Sequence, residues 1–122
     1  MSVVTESYKV YLIEPSFVHV ECTAVMDTAV GLRTQNSSLW FERENLPWVV
    51  EALRKSLSTY AIGELAHASG DDVITVYESG SEAQPTFNVD NQRSAAVSHS
   101  GTFWIGMSRP LAEKLLSELA RL

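Results

Sequence analysis

One short pattern constrains this chain more than any other. At Leu39–Leu57, LWFERENLPWVVEALRKSL, an apolar aromatic strand breaks at polar residues, meets a proline and continues as an amphipathic helix. The C-terminal stretch TFWIGMSRPLAEKLLSELARL has the same order. Set against each other, Trp40-Phe41 falls on Phe103-Trp104, Asn45 on Ser108, Pro47 on Pro110 and Leu53 on Leu116. Asn45 and Ser108 are good N-cap residues, and each proline sits in a first helical turn, where a missing N–H costs nothing. Val49, Ala52, Leu53, Leu57 and Tyr60 make one stripe, and Leu111, Leu115, Leu119 and Leu122 the other. A sheet-to-helix corner used twice is the expected frame.

The strands leading into each corner follow from alternation and turn residues. Tyr8–Ile13 ends at Glu14-Pro15-Ser16. In 17–25, Val18, Val20, Cys22 and Ala24 form the expected core face, with Phe17, His19, Glu21 and Thr23 opposite. A third strand is predicted over Ala29–Thr34, a turn over Gln35–Ser38, and a fourth strand over Leu39–Arg43. The helix is allowed a last turn through Glu64-Leu65-Ala66, and His67–Asp71 is the expected joint. Strands at Asp72–Glu78, Thr86–Asp90, Arg93–Val97 and Thr102–Met107 repeat the plan. The expected class is α+β: antiparallel sheets in a tandem ββββα-ββββα arrangement, helices packed on one face. It forms one domain, with pseudo-repeats at about 8–66 and 71–122.

Composition narrows function mainly by exclusion. At 122 residues, 45% hydrophobic and 20% charged, the chain is long enough for a sizeable core. A net charge of -6 argues against a protein whose main work is coating nucleic acid, since that relies on counterion release by Lys and Arg. The lone Cys22 precludes an intrachain disulfide, and no apolar run reaches the roughly 20 residues of a membrane span. A cytoplasmic protein without membrane attachment is expected.

No catalytic motif stands out. GxSxG is absent, His99 sits in the turn-like SHSG, and Cys22 falls on a core face where a thiol is inert. His19 and Glu21 share a strand face but do not make a metal site by themselves. No enzyme, metal or cofactor is expected.

Binding chemistry is better represented. Lys9, Tyr11, Arg33, Trp40, Arg43, Arg93 and Phe103 lie in or beside predicted strands, and aromatics interleaved with cations form a stacking platform for unpaired bases. Four strands and a helix, stated twice, resembles the Whirly and PUR families of single-strand binders over about residues 8–122, as a succession of elements. That resemblance implies curved sheets gripping single-stranded nucleic acid, and helices that pack the sheets or form the oligomer interface. The strands corresponding to the Whirly lysine-rich motif read YKVYLI and DVITVY here. The alternative is an acidic protein–protein interaction module that takes a basic partner through Glu21, Glu42, Glu44, Asp71 and Glu78. Under either reading a homodimer is expected, with Trp48 and Val50, off the first helix's main stripe, as its interface.

Overall fold

The computed structural model describes residues 2–13, 16–59, 63–94 and 100–122. Three strands come first: β1 Ser2–Ile13, β2 Phe17–Thr28 and β3 Gly31–Glu42. A 3-10 turn, Arg43–Asn45, leads into helix α1, Leu46–Ser58. Then follow β4 Leu65–Ser69, β5 Asp72–Gly80, β6 Pro85–Arg93, β7 Gly101–Met107 and helix α2, Arg109–Leu119. The class is α+β, with one seven-stranded antiparallel sheet in the order β1-β2-β3-β7-β6-β5-β4.

The element order is βββα-ββββα, not four strands twice. The expected turn over Gln35–Ser38 lies inside β3, where Gln35, Asn36, Ser37 and Ser38 pair with Ala24, Thr23, Cys22 and Glu21. Asn36 Oδ1 accepts a hydrogen bond from the Thr23 hydroxyl at 3.0 Å. These polar residues read as a turn because they break the apolar pattern. In the largely solvated outer part of a hairpin they are stable as strand. The chain reverses earlier, at Thr28–Gly31, where Gly31 holds φ 117° and the Thr28 hydroxyl donates to the Gly31 carbonyl at 2.6 Å.

The second departure is β4. Residues 65–69 were expected to be helix tail and joint, yet Leu65, His67 and Ser69 alternate with Ala66 and Ala68 and pair with β5. The hairpin closes through Gly70-Asp71, with Gly70 at φ 60°. The expected strand over Arg93–Val97 lies partly outside the described residues, as do Tyr60 and His99.

Every buried apolar strand residue sits on one face of the sheet. Val18, Val20, Cys22, Leu39, Phe41, Ile74, Val76, Phe87, Val89, Ile105 and Met107 join the stripes of α1 (Val49, Ala52, Leu53) and α2 (Leu111, Ala112, Leu115, Leu119) in one cluster. Helix α1 packs on β5 and on α2, which in turn packs on β1 and β6.

The corners themselves carry a surprise. Pro47 and Pro110 are each the second helical residue. Neither Asn45 nor Ser108 caps with its side chain. The Ser108 N–H instead donates to Glu6 Oε2 of β1 at 3.1 Å, which places a carboxylate at the positive end of α2. Asn45 is buried, and its amide donates to Asp72 Oδ2 at 2.8 Å.

Asp72 holds the two halves together. β3 and β7 share a single bridge pair, Ser38 with Trp104. Past it, side chains from β5 and β6 replace the missing ladder. Asn91 Nδ2 donates to the Trp40 carbonyl at 2.7 Å, and the Glu42 N–H donates to Asp72 Oδ2 at 2.8 Å. Asp72, fully buried, also accepts from Asn91 Nδ2 at 2.9 Å and from Arg93 Nη1. A buried carboxylate is tolerable only with such a set of donors.

Candidate interaction face

Cross-strand register decides which side chains share the face turned away from the helices, because directly opposed residues point the same way. One row crosses all seven strands: Ala66, Thr75, Asp90, Trp104, Ser38, Glu21 and Lys9. Beside it in the first half run Tyr11–His19–Trp40 and then Ile13–Phe17–Glu42. In the second half the neighbouring row is Tyr77–Asn88–Gly106.

Aromatic rings line this face. Trp40 stacks on His19 with centroids 4.1 Å apart, His19 lies 5.6 Å from Tyr11, and Phe103 meets Trp40 at 6.4 Å. Trp104 is held differently. Its ring lies over Gly106, where an added Cβ would stand 2.5 Å from Cζ2, and its Nε1–H donates to Asn88 Oδ1 at 3.1 Å. Asn88 is itself fixed by donating to the Tyr77 carbonyl and the Ser79 hydroxyl. Glycine in a strand interior here marks the bed of an indole.

The charge on the face is mostly negative. Lys9 stands opposite Glu21, and His19 Nε2 lies 3.7 Å from Glu21 Oε1. Glu42, Glu44 and Asp71 gather at the β4–β5 turn: the Asp71 N–H donates to Glu42 Oε2 at 3.4 Å, and a Cβ on Gly70 would meet carboxylate oxygens of both glutamates. Farther along, the half-buried Asp90 has its carboxyl pushed above its ordinary 3.8, first by burial and then by Glu64, while a hydrogen bond from Tyr77 works the other way. A raised folded-state value contributes stability that is present below the ordinary value and lost as pH rises through the raised one. Asp90→Asn is therefore expected to be more stable than the parent at pH 7 and to lose that advantage at about pH 3. Thermal unfolding across that range checks it, and an unchanged difference between the two pH values would contradict it.

The sequence-predicted platform residues are only partly together. Lys9, Tyr11 and Trp40 share the face, and Phe103 rises from the core side against Trp40. Arg33 pairs with Met26 on the outer hairpin, on the side of the helices. Arg43 is exposed in the 3-10 turn, and its N–H donates to the Ser16 carbonyl at 2.8 Å. Arg93 is turned inward: its guanidinium pairs with Asp72 and lies 5.0 Å from the Phe17 ring centroid. Its side chain is 1% exposed, so it is a buried structural cation and does not join the surface. Of the expected dimer residues, Trp48 stacks on His67 at 4.9 Å and Val50 is half-buried against the core.

Trp104 and Asp90 are the principal residues of the face outside the expected set. Their signal lies in parity. Ile105 and Met107 point inward, which sends Trp104 outward and Phe103 toward the core.

Chemistry elsewhere is sparse. The Cys22 thiol is pushed up to about 12, chiefly by burial and secondarily by Glu6, so it stays protonated and unreactive. Among the described residues no three His, Cys, Asp or Glu side chains gather as a metal site, and no helix is long and apolar enough to cross a membrane. No protein-family model matches the chain, and no curated protein matches it.

Proposed function

We propose that this chain is a non-enzymatic binding module that takes a Lys- or Arg-rich protein segment on the sheet face away from the helices. The row Asp90–Trp104–Ser38–Glu21–Lys9 carries the reading: two carboxylates flank an indole, and the single cation stands opposite one of them. Guanidinium and ammonium groups bind such surfaces by charge-assisted hydrogen bonds to the carboxylates and by lying over the rings. Glu42, Glu44 and Asp71 extend the same negative surface at the β4–β5 turn. The burial of Arg93 weighs against a nucleic-acid platform, since it removes one of the four cations that such a platform was expected to use. Strand order supports treating the halves as two versions of one corner unit, because β3 and β7, the strands that enter the helices, meet at the sheet centre.

Tryptophan fluorescence tests the proposal directly, with Trp40 and Trp104 as reporters. An arginine-rich peptide is expected to change the emission with an affinity that falls as salt rises, and a single-stranded oligonucleotide to leave it unchanged. Glu21→Lys, at a side chain 47% exposed, is expected to weaken peptide binding about tenfold, or about 1.4 kcal/mol. Oligonucleotide binding that Lys9→Glu abolishes, with no response to the peptide, would overturn the proposal in favour of the single-strand reading.

A further inference from the structure

The two edges of the sheet are finished differently. β4, at one edge, has five residues, and Trp48 of α1 stacks over its His67. β1, at the other, has twelve residues, and among the described residues no strand pairs with its outer side. Long unpaired edges are templates for another strand, and folded proteins usually shorten, charge or cover them. Here a register shift between Val3 and Thr5 interrupts only the first residues, leaving Thr5–Ile13 regular.

Apolar surface collects along that regular stretch. Tyr11 is 41% and Leu12 45% exposed, while Tyr8 and Val10 are half-buried at the margin of the core. Helix α2 packs against β1, and Leu122, three residues past its end, is 38% exposed. At the β4 edge the large apolar residue Leu65 is half-buried, so the greater exposed apolar surface lies along β1.

We propose that β1 is the interface between two copies of this chain, paired antiparallel about a two-fold axis at Val10 so that two sheets become one. An antiparallel pair of identical strands has its axis normal to the sheet, and opposed residues then share a face. Centring on Glu6 would oppose two carboxylates, and centring on Lys9 two ammonium groups. Centring on Val10 sets Lys9 against the partner's Tyr11, ammonium beside ring, and Tyr8 against the partner's Leu12. Both exposed apolar side chains of the regular stretch are then covered, over a paired run of Ser7–Ile13 that ends before Glu6. The occupant is a second copy because the strand is complementary to itself in this register.

Sedimentation equilibrium on the full chain is expected to give a dimer, and Leu12→Arg, at a side chain 45% exposed, a folded monomer. In a Cys22→Ser background, Val10→Cys is expected to form an interchain disulfide on mild oxidation, its Cβ atoms lying about 5 Å apart across the axis. Leu12→Cys is expected not to, because four residues of offset at about 3.4 Å each separate it from its copy by about 14 Å. A parent chain that stays monomeric at every concentration would overturn the proposal. So would a dimer that survives Leu12→Arg, or one that crosslinks through Leu12→Cys and not Val10→Cys.

Discussion

Asp72→Ala is expected to destabilise the fold by about 3–5 kcal/mol, the cost of leaving a buried partner charge uncompensated. The carboxylate is fully buried and accepts from Asn45, Asn91, Arg93 and the Glu42 N–H, so its removal orphans donors contributed by β3, β6 and the turn before α1. The guanidinium of Arg93 suffers most, because a cation inside the protein has no water to turn to. Arg93→Met is expected to cost less, and the double variant less than the sum of the two, since each change removes the reason the other hurts. Urea unfolding reads all three. A loss below about 1 kcal/mol for Asp72→Ala would mean that the halves are joined by packing alone.

Phe41→Ala is the second large effect, at about 3–5 kcal/mol, set by the lost transfer energy and by the cavity left behind. Phe41 is fully buried where β3 pairs with Val18 of β2, in the cluster that both helices close. Its neighbour Trp40 is bulkier but lies half-buried on the other face, so the penalty follows the direction of the side chain and not its size. The midpoint of urea unfolding should fall with its slope unchanged, as expected when stability alone is altered. A loss no larger than about 1 kcal/mol would place Phe41 outside the core proper.

What was legible in the chain was local. The prolines at Pro47 and Pro110, the stripe Leu111, Leu115 and Leu119 of α2 and the alternation of Val18, Val20 and Cys22 each act over a few residues, and the structure bears them out, whereas Leu122 falls past the end of α2 and is exposed. What was hidden depends on partners far away in sequence. Asn45 sits at a cap position, yet its side chain serves Asp72, and nothing near it announces that choice. Arg93 looks like a surface cation until Asp72 claims it across the β5–β6 pair. Gln35–Ser38 has turn composition, and only its pairing with β2 makes it strand. For the face, Trp40 and Lys9 were visible, whereas Trp104 and Asp90 required knowing which way β7 was turned.

Backbone amide chemical shifts test residue by residue whether the aromatic, acidic sheet face is the binding surface. During titration with an arginine-rich peptide, the largest shifts are expected at Glu21, Ser38, Trp40, Asp90 and Trp104, along the rows that the strand register defines. Shifts concentrated on α1, or on the outer hairpin around Arg33, with those five residues unmoved, would contradict it.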